Sequence, residues 1–264
     1  MNDRPDFDCY ICGSDQVWNL RLINDPVFYL DFTKHFKGVK KIAYAPSIAD
    51  PIPPDLVCKV KEYLKNIDAI SVRESTDVEV LKSLTDKPVF HVADPVFLLC
   101  AEEWSKLLVS PSIKEPYILC FFIHTDPLAV KAVEKLRRLT GYPVVHVNLN
   151  VMDKFHSEYC VYDADPFDFI GYIKNAAFVC TNSFHCTAFS LIFKKNYYIV
   201  PRRVVNTRME SLHKVFGVQN RFLNLDKVKS MTIDDLSVDY SKFDIGYEFF
   251  RDQSINYLKK ALEL

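Results

Sequence analysis

The stretch NAAFVCTNSFHCTAFSLIF, residues 175–193, decides how this chain reads. It begins with a short apolar run, AAFVC, and passes into the polar triplet Thr181-Asn182-Ser183. Apolar residues then recur at Phe184, Ala188, Leu191 and Ile192, a helical spacing. The pattern predicts a buried strand, a tight turn, and a helix capped by Asn182 or Ser183. His185 falls in the first turn of that helix, where backbone N–H groups and the positive helix end favour an anion. The same spacing suits a surface or internally satisfied histidine equally well.

Around this stretch the composition sets limits. The chain has 264 residues, 49% hydrophobic and 14% aromatic, enough for one large domain or two small ones with proper cores. A net charge of −1 argues against nucleic-acid binding by bulk charge. No apolar run approaches the roughly 18 residues of a membrane span. The opening MNDRPDFD lacks the charged-then-apolar plan of a signal peptide. The eight cysteines lie mostly inside apolar runs, which predicts buried free thiols in a reducing cytosol, so a cytoplasmic protein. Cys9 and Cys12 form a C-x-x-C pair, but FDCYIC reads as a strand that sends them to opposite faces, so neither zinc nor redox chemistry is expected there. With six glycines there is no dinucleotide fingerprint and no P-loop. The seven histidines are scattered, without paired-ligand spacing, and no metal is expected.

One grammar repeats along the chain: apolar strand, polar cluster, often a helix. FDCYIC (7–12) leads to Gly13-Ser14-Asp15-Gln16-Val17-Trp18-Asn19, KIAYA (41–45) to Pro46-Ser47, AISV to Arg73-Glu74, and PVFHVA (88–93) to Asp94-Pro95. A helix is predicted over residues 76–84, with Thr76 and Glu79 as its capping box. Strands alternating with helical patterns mean an open, mostly parallel α/β sheet, whose ligands bind outside the carboxyl ends of the strands. Turn formation or capping explains each polar residue singly. Four or five such clusters together favour a binding cleft.

A short helix and a linker are read over residues 100–116, and a second α/β unit follows: strand 116–122, helix 127–140, strand 143–149, helix 166–174, the central stretch, and strand 197–201. A helix over 206–216 ends at Gly217, and a final helical pattern covers 244–264. Seven cations, Lys194, Lys195, Arg202, Arg203, Arg208, Lys214 and Arg221, face a single acid, Glu210. A solvated face is the common explanation. Its position just after the His185 helix also suits a phosphate or carboxylate pocket.

Several clusters together resemble one family, the polysaccharide pyruvyl transferases. The matching stretches are DCYICGSDQVWN (8–19), KIAYAPSI (41–48), ISVRES (70–75), ADPVFLL (93–99), PYILCFF (116–122), residues 175–193 and NTRMESLHKVFGVQNRF (206–222), with SINYLKKAL (254–262) like the family's closing helix. GSDQVWN and TNSFHxT are the specific ones. The resemblance implies a GT-B-like α/β fold of two Rossmann-like units with a cleft between them. The expected units are 1–105, incomplete at its N-terminus and joined by a returning helix over 244–264, and 115–243. Family members usually carry a strand, a glycine turn and a helix before the stretch matching GSDQVWN, and Cys186 stands where the family has glycine, which would narrow a pocket there.

The resemblance also implies the chemistry: pyruvate passes from phosphoenolpyruvate to two hydroxyls of a saccharide, giving a cyclic ketal, with no cofactor. The acceptor is a surface polysaccharide or its precursor, free or lipid-linked. Such chemistry needs the donor's phosphate and carboxylate held, a vinyl carbon protonated and a hydroxyl deprotonated. Arg73 and Arg208 are the fork-shaped candidates for the anionic groups. His185 is the candidate for phosphate contact or general acid, and Asp15 and Asp94 for orienting the acceptor or acting as base. Ser14, Gln16, Asn182 and Ser183 are candidate substrate contacts. Trp18 suits a sugar-stacking face, or more simply the core. Two other readings stand beside this one: a GT-B glycosyltransferase using a nucleotide-sugar, and a truncated, non-catalytic sugar- or anion-binding protein.

Overall fold

A computed structural model describes residues 7–148, 156–202 and 207–264. The chain divides into two compact units, Met1–Leu98 with Ile245–Leu264, and Leu99–Asp244.

Unit 1 is built on four parallel strands in the order β1 (Cys9–Cys12), β2 (Lys40–Ala43), β3 (Ala69–Val72) and β4 (Val89–His91). Cα register runs Ile11↔Ile42, Ala43↔Ile70 and Val72↔His91. Both faces are covered, as parallel sheets require. Helix α1 (Val57–Lys65) and helix α2 (Ser75–Lys82) supply Val60, Leu64 and Leu81 to a cluster with Trp18, Ala43 and Ile70. The opposite face, with Ile42, Tyr44 and Val92, receives Tyr257 from the last helix of the chain, Phe243–Leu262. That helix is stitched down by Tyr257 Oη donating to Ala43 O (2.9 Å) and Ala93 N donating to Ser254 Oγ (2.8 Å). Cys9 and Cys12 do go to opposite clusters, Cys12 beside Trp18 and Cys9 beside Tyr257.

Unit 2 carries five parallel strands in the order β7 (Tyr159–Val161), β6 (Val144–Val147), β5 (Ile118–Phe121), β8 (Phe178–Thr181), β9 (Asn196–Ile199). Its inner strands read as unbroken apolar runs because both faces are buried. Helix α3 (Ala101–Ser105) belongs to this unit, not to the first as the linker reading had it, because Trp104 meets Phe189 edge-on at 5.0 Å. Helix α4 (Pro127–Thr140) starts at an Asp126 cap, Ala129 N to Asp126 Oδ1 at 2.8 Å, and stops where Gly141 takes φ 70°. Helix α5 (Pro166–Asn175) has Gly171 against the chain before β5: a Cβ there would sit 1.7 Å from Val109 O. Helices α6 (Phe184–Ile192), α7 (Thr207–Phe216) and α8 (Leu225–Ser230) follow, before the closing helix, α9 (Phe243–Leu262).

Several expectations need correction. The capping box of α2 does not form: the helix starts at Ser75 after Glu74, and Thr76 Oγ1 turns to Asp77 Oδ1 (3.3 Å). β2 stops at Ala43 because Ala45 adopts φ 55° and breaks the extended path. Strand β7 and helices α1 and α8 have no counterpart in the sequence reading. Leu149, Arg203 and Asn206, parts of predicted elements and of the basic cluster, lie outside the described residues, as does most of the opening MNDRPDFD.

Candidate functional site

In each unit the chemistry-bearing residues gather at the carboxyl ends of the strands. In unit 1 the chain leaves β1 through Gly13, whose φ of 129° suits only glycine and where a Cβ would lie 1.8 Å from Tyr44 O. That close approach sets Ser14 and Asp15 beside the ends of β2, β3 and β4. Ser14 Oγ donates to Asp94 Oδ2 (2.8 Å) and to Ala45 O (3.1 Å).

At the centre is Arg73, with its side chain 2% exposed. Its NH1 donates to Asp94 Oδ2 (2.8 Å), its Nε to Glu74 Oε1 (3.0 Å), and its NH2 to Asp15 Oδ1 (3.4 Å). Burial alone would pull the guanidinium pKa down; Glu74 and Asp94 outweigh it and the net shift is upward. This does not suit the expected role of Arg73 as a fork for the donor's anionic groups. Its fork is spent on protein carboxylates in a dry site, and it acts as a hub. Asp94 is corrected in the same way. It accepts from Arg73, Ser14 and Val96 N (3.1 Å) and is buried, a geometry for positioning rather than for taking a proton from an incoming hydroxyl. Asp15, by contrast, has a side chain 59% exposed and is held in the left-handed region at φ 63°. Gln16 is half-buried, its Oε1 accepting from Asn19 Nδ2 (3.1 Å). Trp18 is core: it stacks on Tyr29 at 4.9 Å and donates to Phe28 O (2.8 Å).

The loop after β2 is the fourth wall of this cluster. Ala45 and Ala49 both adopt positive φ, 55° and 57°. Hydrogen bonds from neighbouring segments hold it: besides Ser14 Oγ to Ala45 O, they are Ala45 N to Ser71 Oγ (3.2 Å), Ser47 N to Asp15 O (2.8 Å), Ile48 N to Asp77 Oδ2 (3.0 Å) and Arg73 N to Pro46 O (3.3 Å). A groove of about 670 Å³ lies elsewhere in this unit, against β4 and α9, with Phe90, His91, Tyr257 and Lys260 among its lining residues. It meets the cluster through His91, whose Nε2–H donates to Arg73 O (3.1 Å). Burial lowers the His91 pKa.

In unit 2 the turn after β8 is as predicted, with Ser183 as the N-cap of α6, its Oγ accepting from Cys186 N (3.4 Å). Asn182 does something else. Its Oδ1 accepts from Ile123 N (2.7 Å) and its Nδ2 donates to His124 O (2.8 Å). Thr181 Oγ1 donates to Phe121 O (2.6 Å). Asn182 and Ser183 are both buried, and their side chains hydrogen-bond to the protein's own backbone. The residue they present is His124, exposed at the end of β5 and missed in the sequence. Its signal was the same as elsewhere, polar residues between an apolar strand and a proline-opened helix. His185 is half-buried in the first turn of α6 and meets Phe184 edge-on at 5.3 Å. Cys186 does not narrow a pocket. It is fully buried with Cys120 and Cys180, and burial pushes its thiol up to about 12.

The basic cluster resolves into separate jobs. Lys194 pairs with Asp244 (2.7 Å), and Lys195 donates to Lys174 O (2.9 Å). Arg221 is buried: it donates to Tyr197 O, Asp235 O, Leu236 O and Ser237 O, and lies 3.9 Å over the Tyr198 ring. Arg202, just past β9, and Arg208, in the first turn of α7, are half-buried at the strand-end side with His124 and His185. Among the described residues no group of three or more His, Cys, Asp or Glu is placed to hold a metal, and no helix is long and apolar enough to cross a membrane.

Known proteins give the same picture. A UDP-GlcNAc 2-epimerase from Methanocaldococcus jannaschii superposes with TM-score 0.57 at 13% identity, covering 94% of this chain and 77% of that one. The S. aureus MnaA–UDP complex superposes with TM-score 0.57 at 12% identity, covering 97% and 76%. These similarities establish the fold as GT-B, two Rossmann-like units. No curated protein matches the sequence. The sequence profile that does match, over residues 2–200, is that of polysaccharide pyruvyl transferase, and the chain belongs to that family.

Proposed function

We propose that this chain transfers pyruvate from phosphoenolpyruvate to a pair of saccharide hydroxyls, on a surface polysaccharide or its free or lipid-linked precursor in the cytoplasm. The observation that carries the reading is the family match over residues 2–200, which takes in the unit 1 cluster and, in unit 2, the turn that carries His185. The balance of the reaction sets the roles. Two hydroxyl protons leave the acceptor; one ends on the donor's methylene carbon, making it a methyl group, and the other leaves with inorganic phosphate. Two C–O bonds form at the central carbon while the C–O bond to phosphate breaks and the vinyl double bond is consumed. No cofactor is required.

Unit 2 suits the anionic donor. The first turn of α6 offers a positive helix end, and Arg202 and Arg208 are planar cations matched to phosphate and carboxylate. His185 is the proton-transfer group, a role typically worth ~10²–10⁴-fold in rate. In unit 1, Asp15 is the exposed carboxylate that takes a hydroxyl proton, with Ser14 and Gln16 beside it. Arg73 and Asp94 hold that turn in place. The test is direct: purified protein with phosphoenolpyruvate and candidate saccharides, followed by phosphate release and by the mass of the product. Phosphate release coupled to an acid-labile ketal supports the reading. A thermal-shift screen in which nucleotide-sugars raise the melting temperature and phosphoenolpyruvate does not would overturn it.

A further inference from the structure

Beside the Arg73 hub lies a second pair of acids that the proposed chemistry does not use. Glu74 and Asp77, at the start of α2, are both buried, 3% and 8% exposed. Glu74 Oε1 is matched to Arg73 Nε, but Glu74 Oε2 is buried and accepts from no N–H or O–H among the described residues. Asp77 accepts from Ile48 N on Oδ2 and from Thr76 Oγ1 on Oδ1, and it follows Glu74 by one helical turn, its N–H donating to Glu74 O (3.1 Å).

A charge count constrains these two carboxyls. Arg73 is the cation of this cluster, and three buried carboxyl groups, Glu74, Asp77 and Asp94, surround it. Asp15 adds a fourth from the exposed side, and half-buried His91 faces Glu74 from β4 with its pKa lowered by burial. Two uncompensated negative charges in a dry site are expensive, and a group so placed keeps its proton instead. Two carboxyl groups in contact can make a hydrogen bond only if one of them carries a hydrogen. The otherwise unmatched Glu74 Oε2 is the acceptor such a hydrogen needs.

We propose that Glu74 and Asp77 share one proton, and that this proton latches the 45–49 loop in its strained conformation through Asp77 and Ile48. With the proton lost, two adjacent carboxylates repel. Asp77, the less deeply buried, swings toward water and gives up Ile48 N. The loop then loses one of the hydrogen bonds that hold Ala45 and Ala49 at positive φ. Burial first, and then Glu74, pushes the Asp77 carboxyl up to about 7. The folded chain therefore holds a proton that the unfolded chain releases near pH 4. The stability this contributes is present at low pH and is lost as pH rises through neutrality. The latch rests on unit 1 alone and holds whatever the chain transfers.

Hydrogen exchange of the 45–49 backbone tests it, with intrinsic rates removed. In the unaltered protein, protection of the Ile48 amide should fall by about tenfold or more between pH 6 and pH 8.5. In Asp77→Asn, whose amide donates to Glu74 permanently and still accepts from Ile48, protection should stay level. A protection change shared equally by both proteins, or seen in neither, overturns the latch. Should Asp77→Asn fail to fold, carboxyl-carbon NMR of the unaltered protein decides. One carboxyl signal must titrate close to neutrality, and if every signal has titrated by about pH 5.5 the shared proton does not exist.

Discussion

Replacing Arg73 by Ala separates a buried hub from a donor-binding fork. The substitution leaves Glu74 and Asp94, each almost fully buried, without their cation. The contacts at 2.8 and 3.0 Å dominate, each a charge-assisted bond worth roughly 1.5–3 kcal/mol. The third, to Asp15 at 3.4 Å, is discounted because that side chain is largely exposed. Breaking a buried pair by deleting one member typically costs ~3–5 kcal/mol. That is a fifth or more of a total stability of about 5–15 kcal/mol. The assay is urea unfolding read by Trp18, which is buried in the same unit, in a Trp104→Phe background that leaves one tryptophan. The midpoint should drop sharply with little change in slope. Arg73→Lys should recover little, since one ammonium cannot serve two carboxylates at fork geometry. The deficit should shrink as pH falls from 8 to about 4, because protonating the stranded carboxyls removes the repulsion. If Arg73→Ala unfolds at the unaltered midpoint yet no longer binds phosphoenolpyruvate, the hub reasoning is wrong and the arginine is a donor ligand.

Three further substitutions probe the rest of the frame. Gly171→Ala places a methyl group 1.7 Å from Val109 O, a rigid backbone atom, and should cost about 3 kcal/mol or more in denaturant unfolding; an unchanged midpoint would show that α5 can shift freely. Asn182→Ala removes the part-buried bonds to Ile123 N and His124 O, each worth roughly 0.5–1.5 kcal/mol, and should lower the urea midpoint, while Asn182→Asp, which keeps the acceptor for Ile123 N, should recover part of the loss. His213 is buried against Tyr197 Oη at 2.8 Å, and burial first, then Arg221, pushes its pKa down to about 4. Its neutral form stabilises the fold above about pH 6.5, and that contribution, up to about 3 kcal/mol, is lost as pH falls toward 4. His213→Phe should flatten this acid limb, measured as urea midpoint against pH.

Much of this architecture was legible because parallel strands buried on both faces write themselves as unbroken apolar runs, ILCF and FVCT in unit 2. The polar knots between them marked the strand ends, and with those the sides of both sheets where ligands bind. What stayed hidden was partnership. An arginine after a strand looks the same whether it meets a ligand, as proposed for Arg208, or three carboxylates, as Arg73 does. Asp94 lies 21 residues from Arg73 in sequence, and no local pattern announces their pairing. Asn182 was visible as a turn residue, but its two bonds reach 58 and 59 positions back. Helix α1 was overlooked because Pro51, Pro53 and Pro54 crowd its approach and its buried face rests on Val60 and Leu64.

The returning helix α9 gives the molecule an order of assembly. Unit 2 is one continuous segment, whereas unit 1 has its final face, the one closed by Tyr257 and Ser254, written after the whole of unit 2. On a ribosome the first strands emerge early and cannot bury Ile42 and Tyr44 until unit 2 and then α9 have been made. The usual rule, in which the amino-terminal domain matures first, is therefore reversed: the middle of the chain folds while its beginning waits. During that wait an open parallel sheet with one bare apolar face is the species a chaperone would meet, and a chain broken ahead of α9 would be injured in the part that was made first.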